Sequence, residues 1–299
     1  MKAMPINTIG GSGGVLRFDR KLLRDRFNRL PFEFDHGLAG HPLFDKDRLL
    51  ELARFLPNGD VWFNDGNIDV NDKWSKIGRS AGTIENAIGN IEESGSWIIL
   101  KKVNQDPQYR MLMEEAMTNL EDRLDRRVRP SLDQLDAYIF MASPGGVTPL
   151  HIDAECTFLC QISGEKRVNV FDPTDREVLP HEEIERFHLG QLESATYRPE
   201  FKSRAHNFTI RSGTGVHLPI IAPHWVENYK NVSCSFSISF VDHADRKRGR
   251  VYVANHYLRR FFNADASDPG SNELWDTTRE VGTKIIRKIN KFRRARFVA

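Results

Sequence analysis

From Gln134 onward, apolar and polar residues alternate in short runs separated by Gly, Pro, Asn and Ser, the pattern of β-strands half-buried against a core. The runs predict strands at Ala137–Met141, Thr148–Asp153, Thr157–Ser163, Arg167–Asp172, Asn207–Arg211, Gly215–Leu218, Trp225–Asn228 and Ser233–Val241. Eight short strands over about 105 residues point to a small closed barrel or a two-sheet jelly roll. An insert from Pro173 to Ala205 interrupts them and reads as part loop, part short helix.

Upstream the period is different. Leu49, Leu50, Leu52 and Ala53 form a helical stripe over Lys46–Phe55, with Asp45 placed to cap it. Ile84, Ala87, Ile88 and Ile91 give a second helix between Thr83 and Glu93, and Ser96–Lys101 reads as a strand. Asp106-Pro107 opens a long helix reaching to about Arg126, with Asp as N-cap and Pro in the first turn. The Phe-rich stretch Leu16–Phe44, broken by Pro31, Gly37 and Pro42, is expected to be irregular chain packed on the core, and residues 58–80 carry no clear period. Helices are expected again at Val251–Phe262 and Thr278–Phe297. The layout is therefore α+β with a mainly β core. Residues 1–14 are a Gly-rich, flexible start, 15–133 a helical and irregular region packed on the core, 134–245 the β core and 246–299 a helical tail, with no linker that would separate independent domains.

At 299 residues with 39% hydrophobic content, the chain is long enough for one large domain with a packed core. It has no apolar run long enough to span a membrane, and residues 1–14 lack the apolar segment of a secretory signal. Three cysteines, Cys156, Cys160 and Cys234, cannot all pair; with apolar neighbours they read as buried thiols in a reducing, cytoplasmic setting. The net charge of +2 conceals an asymmetry, because Lys284, Arg287, Lys288, Lys291, Arg293, Arg294 and Arg296 crowd the tail with no acidic residue among them. Val281, Ile285, Ile286, Ile289 and Phe292 give that segment an apolar face as well.

The chemistry-bearing stretch is Thr148-Pro149-Leu150-His151-Ile152-Asp153. On a strand, residues two apart share a face and stand about 6–7 Å apart. An imidazole beside a carboxylate makes two thirds of a facial triad, the set that holds a non-haem Fe(II) with its other face open. His224, in Pro219-Ile220-Ile221-Ala222-Pro223-His224-Trp225, is the preferred third ligand, with His217 as the competitor. A second His-x-Asp, His243-Ala244-Asp245, lies at a strand end beside Lys247-Arg248 and reads as a solvated turn.

Thr148-Pro149-Leu150-His151-Ile152-Asp153, then Phe158-Leu159-Cys160-Gln161-Ile162-Ser163-Gly164-Glu165-Lys166-Arg167, then Pro219-x4-His224 together resemble the JmjC/cupin-like family of Fe(II)- and 2-oxoglutarate-dependent oxygenases over about residues 135–241. The likeness is greatest to the branch containing the asparaginyl hydroxylase that inhibits hypoxia-inducible factor, and His224-x3-Asn228 resembles the second cupin motif. The resemblance implies a double-stranded β-helix (jelly-roll/cupin) fold, with His151, Asp153 and His224 as both metal ligands and catalytic centre. It implies 2-oxoglutarate as cosubstrate and O2 as oxidant. Lys166, thirteen residues after Asp153, is then the cation for the distal carboxylate, with Arg167 as the alternative, and Thr148 is a hydroxyl donor to the same group. Regular alternation puts Thr148 on the wrong face, so this role requires a bulge near Pro149. Where that hydroxylase has two asparagines this chain has Thr157 and Ser239, smaller residues that can still hydrogen-bond the cosubstrate.

The implied activity is hydroxylation of a protein, peptide or small-molecule substrate with release of succinate and CO2; demethylation is a variant of the same chemistry. A cupin that binds ligand or metal as a regulator, without turnover, is the alternative. Three readings of the basic tail stay open: a helix docked on its own barrel, a homodimer helix such as the resembling hydroxylase uses, and an arm for nucleic acid or an acidic partner.

Overall fold

The computed structural model describes residues 14–64, 68–73, 76–125, 129–264 and 266–296, with side chains as far as residue 284. Twelve strands lie among the described residues: β1 (Leu16–Arg17), β2 (Phe32–His36), β3 (Val61–Asn64), β4 (Trp97–Leu100), β5 (Leu132–Ala142), β6 (Val147–His151), β7 (Cys156–Ser163), β8 (Glu165–Val170), β9 (His206–Arg211), β10 (Thr214–Leu218), β11 (His224–Asn228) and β12 (Ser233–Asp242). They form two antiparallel sheets, one in the order β1-β2-β10-β7-β12-β5-β4-β3 and one in the order β6-β11-β8-β9. Two facing sheets with strands that cross between them make the jelly roll expected from the sequence. The sharpest crossing is between β7 and β8, where Gly164 alone separates the strands at φ +72°. A Cβ there would stand 2.1 Å from the Val232 carbonyl, so glycine is required.

Strand β12 shows how one sequence lines two environments. Ser233, Ser235, Ser237 and Ser239 face the space between the sheets, while Cys234, Phe236, Ile238 and Phe240 face outward into the largest apolar core. That core also takes Phe158 and Cys160 from β7 and Ile139 and Met141 from β5. It is covered by α2 (Lys46–Phe55) and α4 (Pro107–Glu121) through Leu49, Leu52, Leu112 and Met117. Each such side chain, fully buried, contributes about 1.5–3 kcal/mol. All three cysteines are buried and unpaired. A second cluster packs the outer face of the smaller sheet, through Trp225 and Leu150, against α5 (His181–His188) and Tyr252 of α6 (His243–Phe262).

Several expectations change. The Phe-rich N-terminal stretch is not irregular: it supplies β1, α1 (Arg20–Arg26) and β2, and Phe32-Glu33-Phe34-Asp35-His36 pairs along β10 because its alternation matches that strand's outer face. The unassigned region near residue 60 contains β3. The second helix is the short α3 (Ile84–Gly89), and α4 stops at Glu121; Arg126, its expected end, lies outside the described residues. Asp106 caps α4 through the Gln108 N–H at 2.9 Å, whereas Asp45 stands at the N-cap of α2 without a capping bond. Helix α6 begins at His243, eight residues earlier than expected. The His243-Ala244-Asp245 turn is therefore its first turn, capped by Asp242, and Asp245 is buried rather than solvated. The tail helix is α7 (Glu273–Arg296); residues 1–13 and Phe297 lie outside the described residues.

Candidate metal and cosubstrate site

His151 ends β6 and His224 begins β11, and the two are directly opposite in the antiparallel register, with ring centroids 4.1 Å apart. Each ring is oriented from behind: Nδ1–H of His151 donates to the Pro149 carbonyl at 2.8 Å, and that of His224 to the Ala222 carbonyl at 2.9 Å. This leaves each Nε2 as the lone-pair nitrogen. Both Nε2 atoms stand 3.7 Å from Oδ2 of Asp153. Among the described residues these three make a His/Asp/His cluster whose ligand atoms all lie within 4.8 Å of one another. Burial, and next the charge of His151, lower the His224 pKa to about 4, with Asp153 pulling the other way. The ring is therefore neutral at neutral pH, as a metal ligand must be.

Asp153 does not join His151 by strand alternation as expected. Strand β6 ends at His151, and Asp153 sits in the irregular segment beyond it. What holds it is a cross-link: the Ile221 N–H donates to the Asp153 carbonyl at 2.9 Å. Ile221 has φ +55°, a left-handed conformation strained for a β-branched residue and maintained only where the surroundings dictate it. The turn that carries Ile221 also delivers Pro223 and His224.

The bulge that Thr148 needed is present. His224 pairs with His151 but Val226 pairs with Thr148, so Pro149 and Leu150 together oppose Trp225. Thr148 consequently lines the same cavity as the cluster, a space of about 630 Å³ between the sheets. Lys166, Thr157 and Ser239 line it too, the last two joined by a 2.8 Å hydroxyl contact. The Lys166 side chain is buried, and burial lowers its pKa to about 8. Among the described residues no carboxylate pairs with it. Asn228, its cross-strand neighbour, spends its Nδ2 donors on the carbonyls of Ala142, Ser143 and Asn231, leaving Oδ1 buried with no partner among the described residues. A buried ammonium with no carboxylate beside it suits a ligand that brings a carboxylate of its own.

His217 is placed elsewhere. On β10 it shares the outward parity of Gly215 and stacks on Phe158 in the aromatic core. Its Nδ1–H donates to the Thr157 carbonyl at 3.1 Å and its Nε2 accepts from the Asn28 N–H at 3.0 Å. Burial lowers its pKa to about 3. Arg167, one residue from Lys166 and so on the opposite face, lies over the Tyr229 ring.

The cavity has a wall that the sequence reading missed. Trp62 of β3 and Trp97 of β4 meet edge to face, 5.0 Å apart, beside Tyr138 and Phe140 of β5. Glu155 also lines it, its pKa pushed up to about 7 by burial and then by Asp153. The alternation of β5 puts Ala137, Ile139 and Met141 in the core, so Tyr138 on the inner face was legible. Trp62 was not, because β3 follows a polar stretch with no period.

Known proteins share this fold. Residues 72–264 match the family described as "Cupin-like domain". Jumonji C domain-containing protein 5 of Drosophila melanogaster is 29% identical over 112 residues, 36% of this chain and 27% of that protein. HSPB1-associated protein 1 of Homo sapiens is 26% identical over 161 residues, 51% of this chain and 33% of that protein. The chain spans about a quarter to a third of the length of these curated relatives. Among solved structures, Escherichia coli ycfD superposes with a TM-score of 0.52 at 15% identity, covering 90% of this chain and 67% of that one, a likeness of fold.

Proposed function

Because this chain belongs to the cupin-like domain family, within the JmjC/cupin group of oxygenases, we propose that it is an Fe(II)- and 2-oxoglutarate-dependent oxygenase that hydroxylates its substrate. The observation that carries this reading is the joint placement of the His151/Asp153/His224 cluster and the unpaired Lys166 ammonium in one cavity. In the proposed site His151 Nε2, His224 Nε2 and the Asp153 carboxylate hold the metal. Lys166 receives the distal carboxylate of the cosubstrate, with Thr148, Thr157 and Ser239 offering hydroxyls around it. With O2, the bound iron and 2-oxoglutarate supply the oxidation: one oxygen atom enters succinate as CO2 leaves, and the other enters the substrate.

The protein's own part is orientation and exclusion of water. The carbonyls of Pro149 and Ala222 fix both imidazoles. The serine face of β12 keeps side chains short where the cosubstrate must fit. Trp62, Trp97 and Tyr138 form an aromatic wall beside the cluster, against which the substrate group is held. A regulator that binds only metal has no need of an unpaired buried lysine, and one that binds a ligand without turnover differs from an oxygenase in releasing no succinate. A polypeptide substrate is the class we favour, supported by a relative that by name associates with another protein. The test is conversion of 2-oxoglutarate to succinate, followed by NMR with Fe(II), ascorbate and air. Slow uncoupled turnover is expected from the wild type and none from Asp153→Ala; equal rates in both overturn the proposal.

A further inference from the structure

Between α1 and β2, far from the cluster in sequence, Asn28 takes a left-handed conformation with φ +51°. Its backbone N–H and both side-chain polar atoms reach β10, the turn before His224 and α6. The backbone N–H donates to His217 Nε2 at 3.0 Å on β10. The side-chain Oδ1 accepts from the Ile220 N–H at 3.0 Å, and Nδ2 donates to Asp245 Oδ2 at 3.1 Å in the first turn of α6. Ile220 precedes the strained Ile221, whose own N–H holds the Asp153 carbonyl, and the same turn ends at Ala222, whose carbonyl orients His224. A path of hydrogen bonds joined by the backbone of Ile220–Ile221–Ala222 therefore runs from Asp245 through Asn28 to two of the three candidate ligands.

We propose that Asn28, anchored by Asp245, is a positioning residue that holds the Pro219–Ala222 turn, and through it Asp153 and His224, in the geometry that binds the metal. The chemistry of an amide suits this place. A turn N–H needs an acceptor and a buried carboxylate needs a donor, and one amide side chain supplies both. Asp245 is itself buried, so its bond to Asn28 is one it does not readily exchange for water. Left-handed backbone is tolerated by Asn better than by most residues, so the position also restricts what can stand there. Fixing the turn from outside explains how a β-branched residue persists at positive φ beside the ligands.

The inference rests on the oxygenase reading only for the identity of what is bound; the tether itself can be tested without metal. Asn28→Gly keeps the left-handed backbone and its N–H but deletes the side-chain bonds. In the metal-free full chain, amide exchange over residues 219–224 is expected to rise about tenfold, while β12 keeps its protection. Titration with Co(II), followed by its visible absorption, is expected to show about tenfold weaker binding, the low end of what losing a ligand-orienting bond costs. Asp245→Asn, which retains an acceptor for Asn28, should stay near wild type in both. Unchanged exchange over 219–224, a uniform loosening of the whole barrel, or a loosened turn with unchanged Co(II) affinity each overturns the proposal. If the wild type takes up no Co(II) and Asn28→Gly still loosens the turn, the tether stands and the oxygenase reading falls.

Discussion

Lys166 carries its ammonium into a space walled by small hydroxyl residues and is kept from solvent there. A charge-assisted bond to a carboxylate contributes roughly 1.5–3 kcal/mol. Lys166→Ala should therefore raise the 2-oxoglutarate requirement by about 10- to 150-fold, read from the concentration dependence of succinate release, with little change in the iron requirement. Arg167→Ala should leave both near wild type, since its side chain lies over Tyr229. The same lysine sets a pH dependence. Its pKa in the folded chain is lowered to about 8, so it loses its proton across a range where the unfolded chain still holds one. The stability cost of that buried charge is fully present below about 8 and is relieved as pH rises toward the ordinary lysine value. Cosubstrate binding needs the protonated form, so affinity should fall as pH rises through about 8, and the thermal shift given by 2-oxoglutarate should be larger at pH 7 than at pH 9.5. Cys234 beside it does not compete, because burial pushes that thiol up to about 12. His151, Lys166 and His224 were legible in the sequence because their types and spacing match a motif. Glu155 and Trp62 were not, because a cavity wall assembled from separate strands leaves no local signal.

Among the elements, the β7–β8 crossing between the sheets carries the greatest constraint. Gly164 at φ +72° turns the chain from one sheet to the other, and Lys166 follows two residues later. Gly164→Ala meets both left-handed strain and the Val232 carbonyl. It should cost about 1–3 kcal/mol or more in urea unfolding and weaken 2-oxoglutarate binding in parallel. A variant with wild-type stability would show that the turn can relax. The strands from β5 to β12 were legible because each is a short apolar-rich run bounded by turn residues, most of them alternating between two faces. Strand β2 was concealed by the Pro and Gly residues around it, although Phe32, Phe34 and His36 do alternate. Asp153 corrected the reading in another way: its place is fixed by a bond from Ile221, about seventy residues on, which strand periodicity cannot record.

For the whole molecule, hydropathy placed residues 15–133 on the core but did not record how they seat there. That region supplies β1 to β4 of the larger sheet and the helices α2 and α4 that cover it, while α6 packs on the smaller sheet. Polar bonds tie helix α7 to α6: Arg279, buried, donates to Asn255 Oδ1 at 2.7 Å, and Arg250 pairs with Glu280 at 2.6 Å. Within α7, Arg279 also pairs with Asp276 Oδ1 at 2.5 Å. Removing one partner of a buried pair leaves an uncompensated charge and costs about 3–5 kcal/mol. Arg279→Ala should therefore lower the unfolding midpoint clearly while the cluster, to which Arg279 makes no bond, keeps its Co(II) affinity. Leu274, Trp275 and Val281 remain exposed on α7.

Central to the account is that His151, Asp153 and His224 hold an iron whose cosubstrate is anchored by Lys166. The most direct measurement is an anaerobic titration with Fe(II) and 2-oxoglutarate, followed by the visible charge-transfer band of the chelate. The account predicts one band per chain for the wild type and none for His151→Ala or Asp153→Ala. It predicts full intensity for His217→Gln, since that ring belongs to the aromatic core. A band that survives His224→Ala and vanishes with His217→Gln would contradict it.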